Sequence, residues 1–512
     1  MTPTPDLSYV RILPELVLSV WGIIVMLLEP LLPARSSRKA LGIFSFLGTL
    51  VAIAASIYQA NYPGLGWFGM IRVDEFSIFF HVLICAISGI IILASFEYLE
   101  TQQIRAGGEY YALILFGTVG MVLMSSAVEL VLIFIALEIS SIATYVLAGF
   151  RRRYAISTEA SIKYFLLGSF ATAFFLYGVA LMFGATGSTS IYAIASALQS
   201  SGVSTAPGVT APVSNGLAYV AVALMFVGIG FKVASAPFHV WTPDVYEGAP
   251  APVVALMSTA PKAAAFAVLL RILFGAAIGT GNAWFWLVWI SAALSMTLGN
   301  LGALLQSNVK RMLAYSSIAH AGYLLVAFAA VIAPAAREIG ITAAIFYAAS
   351  YAAMNLGAFA VVSHFARSGE QYVNLEDYAG LGKRSPVLAI TLTIFLLSLI
   401  GIPATGGFFA KFYVFNAALQ SNLVWLTVIG LINSAVAAYY YLRLIVVMYM
   451  YEPHEGEEKL RLKAAPGLTA ALVITAVVTV WLGVSPGSVL HYATRGAKGL
   501  LPAQQQTFNL VP

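Results

Sequence analysis

Ionisable side chains lie inside several long apolar segments of this sequence, where charge is rare. Glu138 is near the middle of VLIFIALEISSIATYVL, and three later segments contain Lys232, Lys262 and Lys411. A charge at the centre of a membrane span costs about 2.5–3.5 kcal/mol, so such residues usually face the bundle interior and serve a function. The buried bases outnumber the one central acid, and burial disfavours the charged form. We therefore expect some lysines to be neutral part of the time and to carry protons.

Each of these residues also has a structural interpretation. Lys163 and Arg443 lie near enough to the ends of their segments to extend their charges to the membrane surface, so structural and functional roles both remain open for them. Glu138 and Lys232 could form a static ion pair that holds two helices together, although such a buried pair contributes little net stability.

Histidines add the capacity to relay protons, His320 foremost and His81, His239 and His364 as further candidates. His320 lies in LAYSSIAHAGYLL, and histidine exchanges protons near physiological pH. The sequence contains no GxGxxG after a strand, no Walker loop and only one cysteine, Cys85. We therefore expect this chain to bind no cofactor, metal ion or iron–sulfur cluster by itself.

The composition defines the fold class. Of 512 residues, 60% are hydrophobic and only 9% are charged, against about 25% charged residues in soluble domains. Apolar runs of about twenty residues recur along the whole chain, and such runs cross a bilayer as helices. We predict an all-α integral membrane protein with about 14 transmembrane helices. The net charge of +5 comes from short loops, which indicates topology and not nucleic-acid binding.

Two predicted spans are discontinuous. The seventh span (216–241) contains Pro237, and the twelfth (386–419) contains Pro403, Gly406 and Gly407. Two broken helices five spans apart suggest inverted five-helix repeats around a transport site, although ordinary proline kinks would leave the same pattern. The predicted domains are spans 1–3 (1–107), the first repeat of spans 4–8 (108–275), the second repeat of spans 9–13 (283–450), and a charged loop, span 14 and tail (451–512).

The loop charges predict the orientation. Odd-numbered loops contain fifteen Lys and Arg residues and even-numbered loops contain three. By the positive-inside rule, the odd loops are cytoplasmic and both termini are periplasmic.

Four blocks carry a resemblance to a known family: LEISSIATYVL (137–147), GFKVASAPFHVWTPDVYEGAP (230–250), KRMLAYSSIAHAGY (310–323) and GIPATGGFFAKFYVF (401–415). With them, the chain resembles the antiporter-like membrane subunits of respiratory complex I over nearly its whole length. Within the family it is most similar to the N subunits of NADH–quinone oxidoreductase. It lacks the long C-terminal helix of L subunits, and Lys411 stands where M subunits typically have Glu.

The resemblance implies roles by position. Glu138 matches a glutamate that pairs with the span-seven lysine, here Lys232, while Lys262 and Lys411 match the lysines that join two half-channels. Lys163 and His320 match less uniform positions of the family. The implied function is proton translocation driven by quinone reduction elsewhere in the complex, so that the chain is part of a translocase without a redox site of its own.

The resemblance also implies surroundings. NADH, FMN, iron–sulfur clusters and quinone would be bound by other subunits. The partners would be the neighbouring subunit M, small subunits such as K and J, and the lipid bilayer of a bacterial inner membrane. A cation/proton antiporter or membrane-bound hydrogenase subunit, and a non-conducting membrane scaffold, are the alternatives.

Overall fold

The structure is a computed structural model that describes residues 9–33, 37–104, 107–199, 215–274, 281–331, 336–366, 370, 372–452 and 465–501. Most of the predicted charged loop and the C-terminal tail lie outside these residues. The helices, in chain order, are α1 (Leu13–Leu28), α2 (Lys39–Gln59), α3 (Glu75–Thr101), α4 (Gly107–Ser126), α5 (Leu130–Ala148), α6 (Ala155–Thr186), α7 (Ile191–Gln199), α8 (Asn215–Val233), α9 (Trp241–Gly248), α10 (Ala251–Phe274), α11 (Gly281–Leu304), α12 (Val309–Val331), α13 (Arg337–Ala366), α14 (Leu381–Arg384), α15 (Pro386–Ile400), α16 (Gly406–Gln420), α17 (Val424–Met450), α18 (Pro466–Val484) and α19 (Gly487–Leu500).

The predicted all-α membrane fold is confirmed. Thirteen of the described helices are long and apolar enough to cross a bilayer, and a bent helix pair ending in α15 raises the number to fourteen. The described strands are β1 (Gly64–Gly66) and β2 (Ile71–Val73), which pair antiparallel between α2 and α3. Three helices, α10, α12 and α13, are almost entirely buried. A helix that is apolar on all sides and buried on all sides forms the centre of a bundle.

Both predicted discontinuities exist as separate half-helices. Span seven consists of α8 and α9, and its second half continues to Gly248, seven residues beyond the predicted end. Span twelve consists of α15 and α16, separated by five residues. One alanine in each break, Ala234 or Ala404, has a positive φ, of 59° or 67°. Alanine rarely adopts this conformation, so both breaks contain local backbone strain.

Side chains satisfy the backbone groups that the breaks release. Ser295 Oγ on α11 accepts a hydrogen bond from the Ala236 amide at 2.7 Å, and the Ser291 hydroxyl donates to the Ala236 carbonyl at 2.7 Å. In span twelve the Gly407 amide donates to Ser398 Oγ at 3.1 Å. A Cβ at Gly407 would lie 1.8 Å from the Ser398 carbonyl oxygen, so only glycine allows α15 and α16 to approach this closely.

Alternate loops cluster on opposite faces of the bundle. We call the face with the odd-numbered loops the basic face; there Arg151 and Lys310 both contact Glu370. On the opposite face, the amphipathic α19 packs on α3 and α13, and its Arg495 forms an ion pair with Glu75 at the start of α3. Residues of three odd-numbered loops therefore meet on the basic face, whereas α19 meets the start of α3 on the other face.

Candidate functional site

Lys232 lies in the last turn of α8, immediately before the first break. Its side chain is 4% exposed and donates a hydrogen bond to Ser141 Oγ on α5 at 2.9 Å. The Tyr164 ring on α6 lies 5.9 Å from the lysine nitrogen. The lysine therefore contacts hydroxyl and aromatic groups from two neighbouring helices, which can hold either its protonated or its neutral form.

Glu138 lies one turn before Ser141 on α5 and is half-buried. It acts on Lys232 electrostatically, but no N–O distance between these two described side chains is within 4.0 Å. Its Oε1 is buried and has no hydrogen-bond partner within the described residues. Glu138 on α5 therefore lies near Lys232 on α8, with Ser141 bonded to the lysine in place of the carboxylate.

Lys262 lies at the centre of α10 and is 3% exposed. Its ammonium group donates to Ser317 Oγ at 2.6 Å and to the Ser317 carbonyl at 3.2 Å. The Tyr351 hydroxyl on α13 donates to the same Ser317 Oγ at 2.8 Å. One serine on α12 therefore joins Lys262 to a tyrosine of a third helix.

His320 lies between Lys262 and Lys411 and interacts electrostatically with both. Its Nδ1 is 2.7 Å from the Tyr347 hydroxyl, and its Nε2 is 3.4 Å from the Tyr441 hydroxyl on α17. The ring also stacks obliquely on Tyr351, with 5.1 Å between centroids. Both ring nitrogens thus have partners that can give or take a proton.

Lys411 lies on α16 beside the second break and is 6% exposed. Its ammonium group donates to the carbonyls of Ile400 and Leu399, at 2.8 and 3.2 Å, and to Ser434 Oγ on α17 at 2.8 Å. The two carbonyls belong to the end of α15, where a helix carries its partial negative charge. The nitrogen also lies 4.8 Å from the Tyr323 ring centroid.

Tyr246 on α9 occupies the region between the first two lysines. Its side chain is fully buried, and its hydroxyl has no hydrogen-bond partner within the described residues. It lies close to the Ser317 side chain without hydrogen-bond geometry, and it interacts electrostatically with Tyr164, which neighbours Lys232, and with Tyr351. A buried hydroxyl without a partner is a place where a water molecule is bound in many proteins.

The structure thus brings five of the six predicted residues to the bundle interior and places Lys163 elsewhere. Lys163 lies on the basic face, its side chain is 41% exposed, and it forms ion pairs with Glu159 at 2.7 Å and Asp244 at 2.9 Å. Arg443 donates to the carbonyl of Gln306 at 2.6 Å, just after the end of α11. Neither side chain belongs to the buried line.

The tyrosines that connect the buried lysines and His320 were not predicted as functional residues. Tyr347 and Tyr351 are one helical turn apart on α13, a spacing that places both on one face. This one-turn spacing is the only indication in the sequence that the two tyrosines act together. Aromatic residues inside apolar helices usually serve only packing.

A second buried charge cluster on the basic face was also not predicted. The Glu370 carboxylate accepts hydrogen bonds from Lys310 at 2.6 Å, from the Tyr98 hydroxyl at 2.7 Å and from the Ala251 amide at 2.9 Å. Arg151 lies 3.6 Å from it. Burial by itself would raise the pKa of Glu370, but Lys310 and Arg151 outweigh it and hold this pKa below its ordinary value.

This geometry defines a class of protein: a membrane channel or transporter subunit with buried proton-exchanging groups at two broken helices. A family model described as "NADH:quinone oxidoreductase/Mrp antiporter, TM" matches residues 127–437. The chain is 63% identical over 504 residues to the NADH-quinone oxidoreductase subunit N 2 of Koribacter versatilis (strain Ellin345), covering 97% of this chain and 98% of the relative.

Solved structures agree with this assignment. A chain of respiratory complex I from Thermus thermophilus with bound aureothin is 36% identical and has a TM-score of 0.77, with coverage of 94% of this chain and 99% of that one. A chain of an archaeal membrane-bound sulfane sulfur reductase is 25% identical and has a TM-score of 0.84, with coverage of 98% and 100%. The chain belongs to the family of antiporter-like membrane subunits of NADH:quinone oxidoreductase and Mrp complexes. The predicted resemblance to N subunits within this family is confirmed.

Proposed function

We propose that this chain is the subunit N of an NADH–quinone oxidoreductase and moves protons through the buried line from Lys232 to Lys411. The observation that carries the proposal is the row of buried groups on three helices that lipid does not reach: Lys262 is hydrogen-bonded to Ser317, Ser317 is hydrogen-bonded to Tyr351, and the Tyr351 ring packs on His320. Buried ionisable groups of this kind are costly and mark proton pathways.

The path has two parts. Between Lys262 and Lys411, protein groups supply most of the connection, because His320 interacts with both lysines and has hydroxyl partners at both ring nitrogens. Between Lys232 and Lys262, the unpaired Tyr246 hydroxyl stands in the gap, and a water molecule beside it would complete the connection.

Glu138 controls the protonation of Lys232. Its negative charge favours the protonated form of Lys232, and no hydrogen bond fixes the two side chains together. A change of charge near the half-buried Glu138 would alter this attraction and cause Lys232 to take up or release a proton. Quinone reduction in other subunits, which would also bind NADH, FMN and iron–sulfur clusters, would supply that change.

The finer surroundings follow from the same proposal. The basic face would be cytoplasmic and both termini periplasmic, in a bacterial inner membrane, because basic residues concentrate in odd-numbered loops. The neighbours would be subunit M and small subunits such as K and J. The two inverted repeats, 108–275 and 283–450, would each supply one half-channel, and each contains one broken helix.

The test is purification of the complex through a tag on this chain, followed by NADH:quinone turnover and proton uptake in proteoliposomes. We expect a large assembly that oxidises NADH, and we expect Lys262→Met to reduce coupled proton uptake more than ten-fold. The matched control is Lys383→Met, which removes an exposed lysine on the basic face. A preparation without NADH activity, or with transport that requires sodium and not NADH, would contradict the proposal.

A further inference from the structure

A cavity on the basic face stands apart from the proton path. It has a volume of about 1060 Å³ and lies between the start of α2, the end of α3 and the loop between α5 and α6. Five basic and two acidic residues line it: Arg38, Lys39, Arg151, Arg152, Arg153, Glu100 and Glu109. Lys39 pairs with Glu100 at 2.8 Å, and Arg38 pairs with Glu29 at 2.8 Å. The excess positive charge therefore comes from the three consecutive arginines.

Arg151 is the residue that distinguishes this cavity from an ordinary basic loop. Topology alone requires only that arginines reach water, yet Arg151 is 5% exposed. Its Nε and Nη1 are buried and have no hydrogen-bond partner within the described residues. Its nearest carboxylate, Glu370, is 3.6 Å away and is also held by Lys310 at 2.6 Å. Two buried cations thus share one anion, and a further negative charge beside Arg151 would compensate the excess.

Arg152 and Arg153 extend this positive charge to the surface. Both are exposed, and neither has an ion-pair partner within the described part of the chain. Beside them, the Tyr154 ring lies 4.6 Å from the Arg151 guanidinium carbon. Tyrosine at this position is typical of the headgroup layer of a membrane, where an aromatic ring and a polar tip are both accommodated.

The apolar surroundings continue from the cavity toward the bilayer. Phe96, Tyr111 and Phe150 contribute apolar walls. Lys39 begins α2, and Ile43 and Leu47 follow on the same helix face at one-turn intervals, 52% and 46% exposed. A ligand that fits this arrangement has a negative charge at one end and hydrocarbon chains that leave along α2.

We propose that this cavity binds one anionic phospholipid, with its phosphate against the exposed Arg152 and Arg153, beside the buried charge of Arg151, and its acyl chains along Ile43 and Leu47. Basic pockets between transmembrane helices on the cytoplasmic side are suited to such headgroups. Lipid binding at this site does not require proton movement through the chain. Through Arg151 and Glu370 it touches the cluster that joins the ends of α3, α10 and α12, so lipid binding would stabilise that end of the bundle.

The test is photo-crosslinking in the intact complex, reconstituted in nanodiscs of phosphatidylcholine with phosphatidylglycerol as a minor component. Gln103, which is exposed and lines the cavity, is replaced by a benzophenone amino acid, and the adducts are identified by mass spectrometry. The same probe at Val477, an exposed residue of α18, reports the composition of the surrounding lipid. We expect phosphatidylglycerol to be enriched at position 103 relative to position 477.

Variants identify the groups responsible. Arg152→Gln with Arg153→Gln should reduce the enrichment by about 25-fold, or about five-fold per charge, whereas Lys383→Gln on the same face should leave it unchanged. These residues are exposed, so the fold should persist. The same fraction of phosphatidylglycerol adducts at positions 103 and 477, enrichment that survives the double variant, loss of enrichment on adding inorganic phosphate, or adducts with a protein subunit in place of lipid would each overturn the proposal.

Discussion

Removing the Ser317 hydroxyl tests the link between Lys262 and the rest of the line. Ser317→Ala deletes the 2.6 Å acceptor of the ammonium group and leaves the carbonyl acceptor at 3.2 Å. A hydrogen bond from a charged group contributes roughly 1.5–3 kcal/mol. The protonated form of Lys262 should therefore become roughly 10- to 100-fold less populated relative to the neutral form. Proton pumping that passes through this form should fall by roughly ten-fold or more.

The assay is NADH-driven proton uptake by the reconstituted complex, with NADH:quinone turnover measured on the same vesicles. Ser258→Ala is the control, because Ser258 is buried on the same helix, one turn from Lys262, and its bonds are to Ala255 and Asn355. If the Ser317 variant assembled and pumped at the wild-type rate, Ser317 would have no part in proton transfer. Equal losses in both variants would indicate a packing effect.

Three further predictions concern single groups. Tyr246→Phe removes a hydroxyl that has no geometric hydrogen bond to the described residues, so the thermal stability should be unchanged while pumping falls several-fold, as measured by proton uptake and melting of the complex. Glu370→Ala leaves Lys310 and Arg151 buried without their anion and should cost about 3–5 kcal/mol of stability. Because the folded pKa of Glu370 is lowered, its contribution is present above the unfolded pKa of about 4.3 and is lost as pH falls through the folded pKa. Melting curves of wild type between neutral pH and pH 3 should show this loss, and curves of Glu370→Gln should not. Lys163→Gln breaks only exposed pairs, so pumping should stay within two-fold of wild type and stability should change by less than about 1 kcal/mol.

The features that sequence reasoning captured are those with a strong local signal. Proline and paired glycines inside apolar segments marked both broken helices, and charges inside such segments marked Lys232, Lys262 and Lys411. The end of span seven was placed too early because WTPDVYEG is polar enough to resemble a loop, although it forms α9.

The features that were missed depend on contacts between distant helices. Lys163 was predicted to lie near the end of its span with two roles left open, and only the fold shows that its partner at the surface is Asp244 of α9. Glu370 lies between two spans, where a carboxylate is usually solvated, and only the fold brings Lys310 and Arg151 to it. No pattern within a single segment could have indicated these contacts between distant side chains.

The second broken helix affects the stability of the neutral form of Lys411. The ammonium group has three N–H bonds, and the structure provides three acceptors, the carbonyls of Leu399 and Ile400 and the hydroxyl of Ser434. A neutral amine has only two N–H bonds, so deprotonation leaves one of these acceptors unpaired, at a cost of about 1–3 kcal/mol. A water molecule that reaches the break and donates a hydrogen bond to the unpaired acceptor would remove that cost. Proton release from Lys411 is thus coupled to the arrival of water at the break, where Ile402, Pro403 and Ala404 are exposed.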